Sequence, residues 1–233
     1  MTTRRPDGWW RPAAPARRGW VLAGTGAGGA ALLGISLSTR PGSPQFYTLT
    51  MGLAGTWAAG AVGSGSLAPG RPGQLRPGHP VAGPVLTGAA AFGLFYGAAR
   101  LAQRIPPLHR AVAGILHYAD GGSAPLVMLT AGTNAVAEEL FFRGALWSAA
   151  ADSHPLVTTT IAYTAATAAT RNPALVLAGA VTSVFFGLQR RSSGGVLAPS
   201  LAHVTWSLLM LRYLPPLFRA LPPAGSPGPP GPP

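Results

Sequence analysis

The stretch NAVAEELFFR, residues 134–143, places two adjacent carboxylates inside an otherwise apolar segment. Glu138 and Glu139 are the only glutamates in the 233-residue chain, and Arg143 is the only other charged residue within 124–151. An ionisable side chain in a membrane-length segment costs about 2.5–3.5 kcal/mol on insertion scales, so such residues usually face a bundle interior and mark function. The stretch therefore predicts a functional site inside a helical membrane protein.

The spacing within this stretch assigns different environments to the two carboxylates. Residues four apart share one helix face, which predicts an ion pair between Glu139 and Arg143. Glu138 points about 100° around the helix from its neighbour. Because like charges oppose joint ionisation, pairing one carboxylate with arginine favours the arrangement. We expect Glu139 to be held by its ion pair with Arg143 and Glu138 to be available for other contacts.

The composition is that of an apolar, basic chain without cysteine. Hydrophobic residues make up 48% and charged residues 9%; all 17 Lys+Arg residues are arginine, against five acidic residues, giving a net charge of +12. This charge does not indicate a nucleic-acid partner, because the arginines cluster at the ends of apolar segments instead of lining one helix face. Basic flanks of that kind follow the membrane charge bias. The absence of cysteine excludes disulfides and thiolate metal sites.

The hydropathy pattern predicts an all-α fold, a polytopic membrane helical bundle with about seven transmembrane helices. Each apolar segment approaches the roughly 20 residues needed to cross a bilayer, and the fourth is longer. Residues 100–122 are too polar to cross and predict a connecting or interfacial helix. The predicted spans are 20–37, 46–63, 81–99, 124–151, 155–170, 173–188 and 194–211.

The domain organisation follows from the same pattern. We expect a disordered basic N-terminal arm at 1–19, N-terminal spans with the interfacial helix at 20–123, core helices at 124–213, and a disordered Pro-rich tail at 214–233. Arginines in the arm predict a cytoplasmic N-terminus, since early charges usually dominate orientation. The expected location is the plasma membrane of a bacterium, as an integral membrane protein in contact with the lipid bilayer. The motif GTGAGG at 24–29 lacks a preceding strand, so helix packing explains it better than dinucleotide binding.

Two further polar anomalies lie in the last two predicted spans. Gln189 follows the run 185–188, FFGL, and His203 stands four residues before Ser207 on one helix face. A lone membrane histidine often makes only a helix–helix hydrogen bond. The glutamate pair favours the stronger interpretation, in which these groups converge with it.

These motifs resemble those of the CAAX prenyl protease and bacteriocin-processing (CPBP) family, which includes the type II CAAX prenyl endopeptidases. EELFFR fits the family signature EExxxR. Residues 185–189 fit the second motif, FxxxH, with Gln189 in the place of histidine. Residues 203–207 fit the third, HxxxN or similar, with Ser207 in the place of asparagine. The resemblance extends over about 124–211.

The resemblance implies an intramembrane endopeptidase acting on a peptide or protein substrate at the membrane. Glu138 would activate water, supported by the pair Glu139 and Arg143. The position of Gln189 normally helps to activate water, and His203 with residue 207 would stabilise the developing oxyanion. Glutamine orients water but accepts no proton near neutral pH. The alternative is therefore a catalytically degenerate member that acts as a membrane interaction or immunity protein. A transporter is a third class, but no internal repeat of the polar sites supports it.

Metal dependence is a separate question for the same residues. Zinc takes three protein ligands and an open position. The available candidates are Glu138, Glu139 and His203, with Gln189 a poor fourth. We expect glutamate-activated water with no cofactor, and a divalent metal such as zinc as the alternative.

Overall fold

The described residues of the computed structural model, 15–65 and 81–219, form helices and contain no strand. The all-α prediction is therefore confirmed for this part of the chain. The elements are α1 Pro15–Ser36, α2 Pro44–Gly63, α3 Ala82–Ala102, α4 Pro106–Asp120, α5 Ala124–Glu138, a π-helical segment Glu139–Leu146, α6 Trp147–Ala149, α7 Pro155–Ala168, α8 Pro173–Ser193, α9 Leu197–Tyr213 and α10 Pro215–Phe218.

Prolines and capping side chains determine where several of these helices begin. Proline occupies the first helical turn of α2, α4, α5, α7, α8 and α10, where its missing N–H has no intrahelical partner to lose. Ser43 caps α2 by accepting from the Phe46 amide at 3.1 Å, and Asn172 caps α8 by accepting from the Leu175 amide at 3.1 Å. The connections between helices are thus encoded locally.

Three helices are long and apolar enough to cross a membrane by length and composition. They are Ala16–Ser36, Ala82–Ala102 and Pro173–Ser193, each of 21 residues. The other four predicted spans also form helices, but these do not meet the same criterion. A bundle of seven transmembrane helices therefore stays a prediction, as does the orientation of the chain.

The predicted disordered ends need correction at their inner limits. Residues 1–14, 66–80 and 220–233 lie outside the described residues, so most of the arm and tail predictions fall there. Helix α1 begins at Pro15, so residues 15–19 are helical, and the Arg18 guanidinium donates to the Ala145 carbonyl at 3.1 Å. Residues 215–218 form α10, because Phe218 buries its ring in a packed cluster.

That cluster joins the helices near the end of the described chain. Ala99 of α3, Leu116 of α4, Leu214 and Phe218 pack together. The Gln103 side-chain amide donates to the Leu217 carbonyl, and Arg219 pairs with Asp120. These contacts fix α10 against α4.

The centre of the bundle is formed by α5 and the π-helical segment, which pack against α2, α7, α8 and α9. The indole of Trp57 lies 4.9 Å from the ring of Phe141 and 5.0 Å from that of Phe142, measured between centroids. A Cβ on Gly29 of α1 would overlap this indole, whereas one on Gly24 would meet nothing. Close helix packing therefore explains at least Gly29 of the GTGAGG stretch.

Candidate active site

A π-helical segment, Glu139–Leu146, begins at the second glutamate and interrupts the predicted continuous helix. Its wider turn buries Glu139 and Arg143 on the same stretch that packs Phe141 and Phe142 into the core. Short π-helical turns inside α-helices occur frequently at functional sites. The sequence predicts the helix here but not this local widening.

Glu139 is the hub of a fully buried polar cluster. Its Oε1 atom accepts from Arg143 Nη1 at 3.0 Å and lies 2.9 Å from His203 Nδ1. Glu139 and Arg143 are 0% exposed, and His203 is 5% exposed. The predicted pair between Glu139 and Arg143 is present, and the predicted convergence of His203 on the glutamates occurs through Glu139.

Aromatic rings hold this cluster in one arrangement. The imidazole of His203 stacks on Phe186, with ring centroids 4.6 Å apart and an interplanar angle of 27°. The guanidinium carbon of Arg143 lies 5.0 Å from the ring centroid of Tyr163 and 5.9 Å from that of Phe186. A guanidinium within about 6 Å of an aromatic face gains electrostatic attraction, and more so when desolvated.

Glu138 has a different environment from its neighbour. It is half-buried, and its Oε2 atom accepts from the hydroxyl of Tyr163 at 2.6 Å. Because Arg143 and His203 both contact the other glutamate, Glu138 keeps an oxygen, Oε1, with no partner in the described part of the chain. Glu139 Oε2 also has no partner among the described residues, but it is buried. The two carboxylates therefore differ in exposure and in their partners: Glu139 is bonded to Arg143 and His203, and Glu138 is partly accessible.

Gln189 and Ser207 are less closely connected to the cluster. Gln189 is half-buried, and its Oε1 atom is buried without a partner among the described residues. No hydrogen bond joins Ser207 to the glutamates or His203 within 81–219. Their predicted roles are not tested by these contacts.

On α8, the residues that face the site lie one position after those of the predicted motif, which runs from 185 to 189. Phe186, at 0% exposure, stacks on His203, and Arg190, four residues later, is 7% exposed. Arg190 Nε donates to the carbonyl oxygen of Arg143 at 2.8 Å, and its guanidinium carbon lies 5.8 Å from the ring centroid of Trp147. The same four-residue spacing thus relates Phe186 and Arg190 on the buried face.

Tyr163 and Arg190 are site residues that sequence reasoning missed. Tyr163 carries no charge and lies in a Thr- and Ala-rich helix, so no pattern singles it out. Arg190 follows Gln189 at the end of an apolar run, where arginine usually marks an interface. Their proximity to the site depends on the rotation of α7 and α8 about their own axes.

The residues proposed as alternative metal ligands do not form a metal site. Among residues 15–65 and 81–219, no three His, Cys, Asp or Glu side chains are arranged to hold an ion. His203 Nδ1 bonds to Glu139, whereas Glu138 bonds to Tyr163. Zinc needs three convergent ligands, so this donor set does not fit it.

An open apolar groove of about 500 Å³ lies between α2 and α5. Ala137 and Leu140, which flank the glutamate pair in sequence, line it together with Met51 and Ala58 of α2. Neither glutamate is among the residues that line the groove.

The fold and site define a helical protein whose buried carboxylate cluster lies inside an apolar bundle. A family model described as type II CAAX prenyl endopeptidase Rce1-like matches residues 120–209, the region that contains all six predicted site residues. This match confirms the resemblance to the CAAX protease family. Together with the three apolar helices, the match supports a membrane protein. No curated protein and no solved structure matched the chain.

Proposed function

We propose that the protein is an intramembrane endopeptidase in which Glu138 activates a water molecule. The observation that carries this proposal is the contrast between two adjacent carboxylates. Each carboxylate has one oxygen without a partner among the described residues, Oε1 of Glu138 and Oε2 of Glu139, but Glu139 is fully buried against Arg143 and His203, whereas Glu138 is half-buried and thus partly accessible. A general base needs an accessible lone pair within about 2.6–3.2 Å of its water.

The proposed reaction uses Glu138 twice. The carboxylate takes a proton from water as the water oxygen bonds to the carbonyl carbon of the scissile peptide. The carbonyl π electrons move to oxygen, which becomes the oxyanion. Collapse of this intermediate breaks the C–N bond, and the proton held by Glu138 passes to the leaving nitrogen. Because the base ends as a carboxylate, the cycle balances.

The buried cluster is suited to stabilise the oxyanion. Nε and Nη2 of Arg143 are buried and have no partner among the described residues. His203 uses Nδ1 toward Glu139, so Nε2 is its ring nitrogen available to substrate. Fixed donors aimed at developing negative charge are usually the largest single catalytic contribution. The substrate class that we propose is a peptide or protein segment at the membrane, since the chain matches an endopeptidase family model and has three apolar helices.

The direct test is cleavage of fluorogenic peptides by the full chain purified in detergent. We expect Glu138→Gln and Glu138→Ala to lower the rate by at least about 100-fold, as expected for loss of a general base. Asp152→Asn is the matched control because Asp152 is an exposed acid. Cleavage that persists in Glu138→Ala would reject the assignment.

The second candidate is a catalytically degenerate protein that acts as a membrane interaction or immunity protein. The observation that favours it is the loose attachment of Gln189 and Ser207 to the cluster. Gln189→His distinguishes the two functions. A rise in peptide cleavage supports a weakened enzyme, whereas no cleavage before or after the change, with cellular function intact in Glu138→Ala, supports the degenerate protein.

A further inference from the structure

We infer that Tyr163 is a positioning residue for Glu138, an inference that rests on the proposed peptidase function. Its hydroxyl donates to Glu138 Oε2 at 2.6 Å, and it is the only side chain within the described residues that hydrogen-bonds this carboxylate. Hydrogen bonds to an ionised group are shorter and roughly twice as strong as neutral ones. The bond fixes one carboxylate oxygen and leaves Oε1, which has no partner among the described residues, to accept from the reacting water.

The ring of Tyr163 is held on several sides. Phe142 packs edge-on to it with centroids 4.9 Å apart, and the Arg143 guanidinium lies 5.0 Å from its centroid. On α8, a Cβ at Gly179 would lie 3.3 Å from Tyr163 Cε1, which is tighter than ordinary packing. Because Gly179 has no side chain, the ring of Tyr163 fits against α8 without steric overlap. Packed on these sides, the hydroxyl has little freedom to turn away from Glu138.

Another tyrosine within the described residues uses its hydroxyl on the backbone. The Tyr118 hydroxyl donates to the carbonyl oxygens of Leu37 and Thr39, away from the glutamates. Tyr163 instead bonds to the carboxylate that Arg143 and His203 leave unpaired. Tyr163 is therefore placed to fix one oxygen of the Glu138 carboxylate.

The test compares Tyr163→Phe with the matched variant Tyr118→Phe. Each change removes one hydroxyl and keeps the ring. Loss of a hydrogen bond to a charged group predicts a 10- to 100-fold lower kcat for Tyr163→Phe, with KM changed less than about twofold. Tyr118→Phe should keep the parent kcat and KM. Equal kcat values for the two variants, or an effect on KM alone, would overturn the inference.

Folding is checked by the unfolding midpoint of each variant in detergent. If Tyr163→Phe does not fold, incorporation of 3-fluorotyrosine at position 163 keeps the ring and hydroxyl but makes the hydroxyl a stronger donor. We then expect a change of at least about twofold in kcat at constant KM, because the altered bond acts on a charged acceptor. An unchanged kcat would count against Tyr163 as a positioning residue.

A readout without catalysis separates this inference from the proposed function. A hydrophobic carbodiimide modifies membrane-embedded carboxyl groups, and mass spectrometry locates the modified residue. Freed from the tyrosine hydroxyl, Glu138 should react several-fold faster in Tyr163→Phe than in the parent or in Tyr118→Phe. If the parent cleaves no peptide, the peptidase proposal fails. The rate at which Glu138 is modified still tests whether Tyr163 positions it. Equal modification rates would reject it.

Discussion

Two ion pairs between a carboxylate and arginine occupy opposite environments in this molecule. Glu139 and Arg143 lie 3.0 Å apart inside the bundle, with both side chains 0% exposed. Asp120 and Arg219 lie 2.6 Å apart at the α4–α10 contact, with side chains 34% and 63% exposed, respectively. The shorter contact is the more exposed one. The distance between the charged atoms therefore does not show which pair contributes more to stability. The surroundings of each pair have to be compared.

The surroundings of the buried pair make it part of a network. Glu139 also bonds to His203, and the backbone carbonyl of Arg143 accepts from Arg190. Removal of one partner inside such a network leaves an uncompensated charge away from water. The exposed pair has water as a substitute partner for both side chains. The comparison predicts a steep difference between mutations at the two places.

The largest effect is expected for Arg143→Ala. The change leaves Glu139 buried without its cation and should lower the free energy of unfolding by about 3–5 kcal/mol. Denaturant unfolding in detergent micelles measures it, with exposed Arg191→Ala as the control. The double variant Glu139→Leu with Arg143→Met should recover most of this loss, because apolar replacement of a buried pair is often neutral. A loss under about 1 kcal/mol in Arg143→Ala would mean that the pair is not the buried hub.

A smaller loss is expected for Arg190→Gln. Arg190 Nε donates to the Arg143 carbonyl at 2.8 Å in the π-helical segment. A hydrogen bond from a charged donor contributes about 1.5–3 kcal/mol, so the free energy of unfolding should fall by that order. Arg191→Gln, one residue later and exposed, provides the matched control in the same unfolding experiment. Identical values for the two variants would show that the contact to the π-helical segment contributes nothing.

The sequence predicts the helices well because their limits are encoded locally. Pro155 and Pro173 begin helices at the predicted residues, since proline fits the first helical turn. The predicted sixth span ends at residue 188, but the helix does not, because the polar residues that end the apolar run do not end the helix. Helix α8 continues to Ser193 and stops where Gly194 takes a positive φ of 69°.

For the candidate site, the sequence predicts contacts within one helix and misses contacts between helices. The pair formed by Glu139 and Arg143 follows from a spacing of four residues. The bond from Tyr163 to Glu138 joins residues 25 apart, and the bond from Arg190 to Arg143 joins residues 47 apart. These two hydrogen bonds depend on how the helices are rotated and packed against each other. The periodicity of the sequence does not predict them. Within the π-helical segment, the contacts of Phe141 and Phe142 with Trp57 likewise join residues far apart in the sequence.

The smallest effect is expected for Asp120→Asn at the exposed pair. Arg219 then loses a partner that water replaces, and Phe218 still holds α10 in its apolar cluster. The hydrogen bond to Asp120 raises the pKa of the Arg219 guanidinium, so the arginine stays charged throughout the neutral range. A raised folded-state pKa gives a contribution that is lost only as the pH rises through it, in strongly alkaline solution. We therefore expect the unfolding midpoint of Asp120→Asn to equal the parent value between about pH 6 and pH 9.

Any residual difference in the midpoint should disappear in about 1 M salt, where the Debye length falls to about 3 Å. A large shift of the midpoint that salt does not remove would show that Asp120, like Glu139, contributes strongly to stability. It would contradict the difference proposed here between the buried and the exposed ion pair.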